Sequence, residues 1–346
     1  MYTIYDYLKY YKDVSLENVT WNDIDNLLCS ILIYLPLDSF TNAKTLKKIY
    51  DDIKLKPELL LGEMSTQAYK LLEIIINSKR YLHLKMIDLV SIKNNDTQFC
   101  AATFKNGSTV VVSFRGTDGS VIGWIENIRI SYKYPTFTQS LAMDYLTNSV
   151  KKYESNTIYV TGHSKGGNLA MASAMELSCD LFSKVRKVYN FDGPGFRKTE
   201  FESSKYSRLC KKLVNIIPES SAVGILLNNK NYMVIKSSSF ALEQHYPISW
   251  NLFGQFFIPS TLSGLSKRLH ESTTIKIDSI DYKLLEDTFE AMFKSLNVDY
   301  TSHTKFSITD LKNMVHNMRI YNPDIVKYID TIIDALISIT KSKNIK

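Results

Sequence analysis

A chain of 346 residues with 45% hydrophobic, 22% charged and 12% aromatic residues has the make-up of a globular protein, which excludes wholesale disorder and a coiled coil. Its 42 basic and 35 acidic residues leave a net charge of +7, but the lysines (Lys47, Lys48, Lys54 and Lys56, then Lys151 and Lys152) are scattered and build no arginine-rich face. No nucleic-acid partner is therefore expected.

Four cysteines, at positions 29, 100, 179 and 210, share no CxxC spacing and read as reduced, buried thiols, not as a zinc module or a disulfide scaffold. Met1 leads into Tyr2, Asp6 and Lys9 without the basic stub and apolar run of a signal peptide. The longest apolar stretch, 27–37, falls short of the ~20 residues of a membrane span. A cytoplasmic protein without a transmembrane segment is expected.

Residues 1–84 carry helical periodicity: Leu27, Leu28, Ile31, Leu32 and Leu35 share one face, as do Leu71, Leu72, Ile75 and Ile76. Near residue 86 the period changes. Strands are predicted over 86–93 and 98–105, with Asn106-Gly107 as a hairpin turn and 109–114 as the returning strand. Short apolar runs then alternate with helices: strand 157–160, helix 164–178, strand 185–191, helix 201–211, strand 213–217 and a last strand at 232–236. That alternation predicts a mostly parallel sheet with crossover helices. Beyond residue 256 the pattern is helical again, with a helix start at Ser307-Ile308-Thr309-Asp310 and Pro323 opening the last helix. The expected organisation is a helical segment over 1–84, an α/β core over 85–255 and a helical region over 256–346.

Within the core, Gly162-His163-Ser164-Lys165-Gly166 follows the apolar strand Ile158-Tyr159-Val160 and precedes a helix of small residues, Ala170, Ala172, Ser173 and Ala174. A G-x-S-x-G between strand and helix is a nucleophile elbow: the glycines permit a tight turn that lifts the serine out at the sheet's edge. The helix that follows points its first N–H groups at a reacting carbonyl. A phosphate loop is excluded, since that motif needs a lysine after its second glycine. Upstream, Phe114-Arg115-Gly116-Thr117-Asp118 ends a strand and is followed by Trp124-Ile125.

Together these two motifs resemble the class 3 lipase branch of the α/β-hydrolases. The chain is more similar still to a bacterial family of lipase-like proteins, the Mbeg-like family. That resemblance rests on Tyr5-Asp6-Tyr7-Leu8, on 22–27 (NDIDNL), on 190–196 (NFDGPGF), on Ser221-Ala222-Val223-Gly224 and on Gln244-His245-Tyr246-Pro247 with Trp250, and it spans about residues 1–255. It implies that Thr117 and Lys165 supply the backbone N–H groups of an oxyanion hole. Arg115 is read as holding its loop through a salt bridge. The Lys165 side chain has two readings, favouring an anionic head group such as a phospholipid or simply solvated.

A serine nucleophile needs a base after the last strand. Of six histidines, His245 has that position; His163 lies in the elbow, His83 before the sheet, and His270, His303 and His316 in the helical tail. Two acids could orient it. Asp192 lies in the turn after strand 185–191, at a strand end that serves this role in other hydrolases, and is preferred. Glu219, after the next strand, occupies the class 3 position and is the alternative. Phe253, Phe256, Phe257 and Ile258 are read as core, with an acyl pocket or lid as the other use.

The sequence thus predicts an α/β-hydrolase with helical additions at both ends. It would be a serine hydrolase of carboxylic esters or thioesters, with no cofactor and no metal. Its partner would be a small ester, thioester or lipid, with transient membrane-surface contact possible. An acyltransferase using the same site, and a non-catalytic hydrolase-fold binding or scaffold protein, are the alternatives.

Overall fold

In the computed structural model, which describes residues 2–39, 45–295 and 300–301, four helices precede the first strand: α1 (Ile4–Tyr11), α2 (Asp23–Leu32), α3 (Leu46–Leu55) and α4 (Gly62–Ile75). Asn22 starts α2 by accepting from the Ile24 N–H at 2.9 Å, while Asp25 reaches back to the Asn22 N–H at 2.9 Å. This reciprocal cap satisfies donors that a helix start otherwise leaves orphaned. Every residue of α2 from Ile24 to Leu32 is buried, because the helix lies between the sheet and the other helices of its layer.

The sheet has seven strands in sequential order: β1 (Lys85–Lys93), β2 (Gln98–Asn106), β3 (Thr109–Phe114), β4 (Thr157–His163), β5 (Val185–Phe191), β6 (Leu213–Pro218) and β7 (Tyr232–Ile235). β1, β2 and β3 are antiparallel neighbours; from β3 to β7 every pairing is parallel. Successive side chains on a strand point to opposite faces, and the core divides accordingly. Val111, Cys100, Ala102, Phe104 and Phe191 pack with the N-terminal helices. Val110, Val112, Phe99, Ala101 and Val188 pack on the other face. That second face is covered by α6 (Phe137–Lys152), α7 (Lys165–Glu176), α8 (Cys179–Lys184) and α10 (Ser204–Leu209). Two-layer covering of a mostly parallel sheet, with a strand–turn–helix elbow after β4, is the α/β-hydrolase architecture.

Several local expectations change. The stretch predicted as one helix over 201–211 is two short ones, α9 (Lys198–Phe201) and α10; Ser203 starts the second by accepting from Tyr206 N–H. Helices α5 (Val121–Arg129) and α6 were not anticipated between Thr117 and β4. β7 is not the last strand: β8 (Leu252–Phe253) and β9 (Phe256–Phe257) form a small antiparallel hairpin, with Gly254 at φ +59° in its turn. Cys179 is exposed, not buried, although all four cysteines are free.

Of the C-terminal region, α11 (Gly264–Ser279) and α12 (Tyr282–Ser295) are described. Leu269 of α11 packs on Ile217, Ala222 and Ile225 beside β6. α12 lies on α5, with Glu290 bonded to Arg129 at 2.7 and 2.9 Å and to Tyr132 at 2.8 Å. The predicted helix starts at Ser307 and Pro323 lie outside the described residues. Among the described residues, no helix is long and apolar enough to cross a membrane.

Candidate active site

β4 ends and α7 begins on a single residue. Ser164 sits between them at φ +58°, ψ −133°, a conformation that side-chain-bearing residues seldom adopt. The turn closes because its flanks are bare: a methyl at Gly162 would lie 2.1 Å from the Gly166 carbonyl oxygen. The Ser164 N–H is held by the Phe191 carbonyl at 2.9 Å, which places the elbow beside the end of β5. Ser164 itself is half-buried.

Asp192 follows β5 directly, at φ +51° and fully buried. Its Oδ2 lies 2.6 Å from Nδ1 of His245, and its Oδ1 accepts from the Ser221 hydroxyl at 2.5 Å and the Gly224 N–H at 3.1 Å. A carboxylate can only accept here, so Nδ1 of His245 carries a proton, which in the neutral ring leaves Nε2 as the acceptor. His245 lies in a short 3₁₀ turn over 241–245, with its side chain 22% exposed. Glu219 is turned elsewhere: its Oε2 accepts from Ser260 at 2.6 Å. The tight-turn asparagine in this segment is Asn190, whose side chain brackets the Gly193 backbone at 3.0 Å on both its N–H and its carbonyl.

His163, next to the serine, is buried and supports His245 from behind. Its Nε2 donates to the His245 carbonyl at 2.8 Å, the two rings lie 4.5 Å apart, and Tyr34 donates to its Nδ1 at 3.3 Å. Burial, and then the nearby His245, hold its pKa well below the ordinary histidine value, so the ring stays neutral. His83 is exposed, and His270 donates to the Ile225 carbonyl at 2.7 Å; among the described residues neither bonds Ser164 or Asp192. His303 and His316 lie outside the described residues.

The loop after β3 approaches from the other side. A methyl at Gly116 would sit 3.3 Å from the Ser164 Cβ and 2.1 Å from the Tyr34 hydroxyl, so this loop passes hard against the serine. Thr117 accepts through its hydroxyl from Asn127 at 2.8 Å. Neither the Thr117 nor the Lys165 backbone N–H has an acceptor among the described residues. Asp118 fixes the turn that follows: burial opposes its charge, but hydrogen bonds from Ser120 and Lys93 outweigh it and lower its pKa to about 2.

Four side chains, Lys165, Arg115, Phe253 and Phe256, depart from their sequence readings. Lys165 is neither solvated nor poised for a head group. It is 1% exposed, and its ammonium donates to the Gln98 carbonyl at 2.9 Å, to Gln98 Oε1 at 2.7 Å and to Glu126 Oε2 at 2.6 Å. Arg115 is buried without the expected salt bridge: among the described residues it forms no ion pair, its Nε has no partner, and its N–H bonds the Cys100 carbonyl at 2.9 Å. The aromatic cluster splits, because alternation in a hairpin sends neighbours to opposite sides. Phe257 is buried against Trp250 and Phe191, Ile258 is half-buried, and Phe253 and Phe256 are 80% and 66% exposed.

Sequence reasoning gave no role to Ser221, Gly224, Tyr34 or Glu126. The Ser221-x-x-Gly224 spacing is a local signal for a turn that cups an oxygen; Tyr34 and Glu126 arrive from distant segments and carry none. Among the described residues, no cluster of three or more His, Cys, Asp or Glu is arranged to hold a metal ion.

A family model described as Mbeg1-like matches residues 75–294. Among solved structures, the chain is similar to the Rhizomucor miehei lipase propeptide complex at 19% identity, covering 59% of this chain and 67% of that one with a TM-score of 0.35. It is similar to an MDLA mutant form from Penicillium cyclopium at 14% identity, over 62% and 79% of the two chains, TM-score 0.41. With M37 lipase it shares 13% identity over 91% and 96%, TM-score 0.39. No curated protein matches the chain.

Proposed function

The chain belongs to the Mbeg1-like family, and from that premise we propose that it is a serine hydrolase acting on carboxylic esters or thioesters, small or lipid. The observation that carries the reading is the 2.6 Å contact of His245 Nδ1 with buried Asp192, beside a serine held at φ +58°. In this mechanism Ser164 Oγ attacks the carbonyl carbon while His245 Nε2 takes its proton. The resulting imidazolium is stabilised by Asp192 and returns the proton to the leaving group. Water then releases the acyl group from Ser164 by the same route. The Thr117 and Lys165 N–H groups receive the developing oxyanion, each contributing about 3 kcal/mol to the transition state.

All of these groups lie between residues 85 and 255. The chemistry needs neither metal nor organic cofactor. The test is labelling by a fluorophosphonate probe together with an ester and thioester panel of varied chain length. Wild-type protein should label at Ser164 and turn over at least one class, and Ser164→Ala should do neither while melting normally. A folded wild-type protein that neither labels nor hydrolyses would leave the binding-protein alternative standing.

A further inference from the structure

We propose that α5 is a brace that sets the spacing of the two oxyanion donors, with Glu126 and Asn127 as its positioning residues; this rests on the serine-hydrolase reading above. The two donors come from separate segments, Thr117 from the loop after β3 and Lys165 from the start of α7. Two N–H groups stabilise one oxygen only when their separation is fixed before reaction. Consecutive residues of α5 grip both: Glu126 Oε2 accepts from the Lys165 ammonium at 2.6 Å, and Asn127 Nδ2 donates to Thr117 Oγ1 at 2.8 Å.

The Lys165 grip is complete. Its three N–H bonds meet three acceptors, so none remains for a ligand. The other Glu126 oxygen accepts from Thr97 at 2.6 Å, from the Gln98 N–H at 3.2 Å and from Thr138, which ties α5 to β2 and α6. Burying a lysine beside the nucleophile is costly unless every hydrogen bond is made, and an apolar side chain would fill the same space without that demand. What the apolar side chain lacks is direction. Charged hydrogen bonds to a helix one residue from the Thr117 contact fix where the Lys165 backbone lies relative to Thr117.

Two variants test this. Glu126→Gln removes the charge that holds Lys165, and Asn127→Ala removes the Thr117 grip at a half-buried position without stranding a charge. For each, kcat and KM are measured per serine titrated with a fluorophosphonate, alongside the melting temperature. Loss of an entire oxyanion donor costs about 10²–10³ in kcat. A displaced donor should cost less, roughly 10- to 100-fold for Glu126→Gln and a few-fold for Asn127→Ala, with KM within about two-fold and every serine still titrating at end point. Unchanged kcat per titrated serine in both variants, whatever the melting temperature, would overturn the brace. If Glu126→Gln does not fold, Asn127→Ala alone decides. A wild-type enzyme without turnover would instead sink the hydrolase reading, and the brace with it.

Discussion

The helical layer and the candidate active site each bury an acid against a basic side chain, and the two are wired differently. In the helical layer Asp25 and Arg80 are both inaccessible and joined at 2.5 and 3.0 Å. Arg80 also donates to the Val19 and Thr20 carbonyls, and Asp25 accepts from Tyr81, Tyr7 and the Asn22 N–H. Nearly every donor and acceptor is used to join α1, α2 and the segment after α4. At the candidate active site Asp192 is equally buried and equally satisfied, but the side chain of its partner His245 is partly exposed and, among the described residues, its second ring nitrogen has no partner. A polar network with its bonding capacity exhausted holds a structure together. One that leaves a ring nitrogen free to accept a proton is equipped for chemistry.

The strongest way to break this comparison is Asp192→Asn. The amide keeps an oxygen for Ser221 and Gly224, so the fold should persist with little change in melting temperature. Its NH₂ would face Nδ1 and favour the wrong imidazole tautomer, for which losses near ~10⁴ in kcat are known in serine triads. Steady-state kinetics beside a thermal melt would check this. A large drop in melting temperature with activity retained would mean that Asp192 belongs to the same structural class as Asp25.

Arg80→Met is the counterpart in the helical layer. It strands Asp25 without a counter-ion in a dry site, where breaking such a pair costs about 3–5 kcal/mol. Denaturant unfolding should show a lowered midpoint at similar slope, while kcat per titrated serine stays at the wild-type value. Lost turnover in the folded fraction would show that the two regions are coupled.

How far each network was legible follows from how local it is. Elbow residues 162–166 are consecutive, and the glycines that their turn demands are written beside the serine, so the site's centre could be read directly. The sheet was readable for a similar reason, since alternation within one strand reports two faces. Asp192 and Glu219 each follow a strand end, and nothing in the order of residues says which carboxylate turns toward His245. The structure separates them through Ser260, which occupies Glu219 from 41 residues away. Lys165 was misread because a lysine is ordinarily solvated; its burial depends on Glu126 and Gln98, 39 and 67 residues distant in sequence. Asp25 lies in the 22–27 stretch that carries the family resemblance, but its pairing with Arg80 across 55 residues follows from no local pattern.

His163 lies between the two classes, buried like Arg80 yet with its ring 4.5 Å from that of His245, and pH separates its contribution. Burial depresses its folded-state pKa well below the ordinary value, whereas the unfolded chain takes up a proton near pH 6.5. Its contribution to stability is therefore complete above about pH 6.5 and shrinks as pH falls below it, at up to about 1.4 kcal/mol per pH unit. His163→Gln keeps a donor for the His245 carbonyl and removes the titration. Between about pH 5 and 6.5 the variant's stability should fall less steeply than the wild type's. Parallel curves would mean that the folded protein protonates His163 as readily as the unfolded chain does.

The smallest effect is expected at Glu219, and it sharpens the comparison because Glu219 resembles Asp192 in sequence but not in wiring. Its carboxylate is half-buried and accepts from Ser260 at 2.6 Å, while its backbone bridges to Ile235 at 2.9 Å and to Ser263 at 2.7 Å. Glu219→Gln preserves the backbone bonds and leaves a carbonyl oxygen to accept from Ser260. What it loses is the extra strength of a charged acceptor in a partly wet position, a change of about 0.5 kcal/mol. Stability should move by no more than that, and kcat should stay within about two-fold, because no reacting group depends on the charge. A drop of a hundred-fold or more, with Asp192→Asn retaining activity, would transfer the acid's role to Glu219. It would also require His245 to leave Asp192 in the working enzyme, carrying its 3₁₀ turn toward the end of β6.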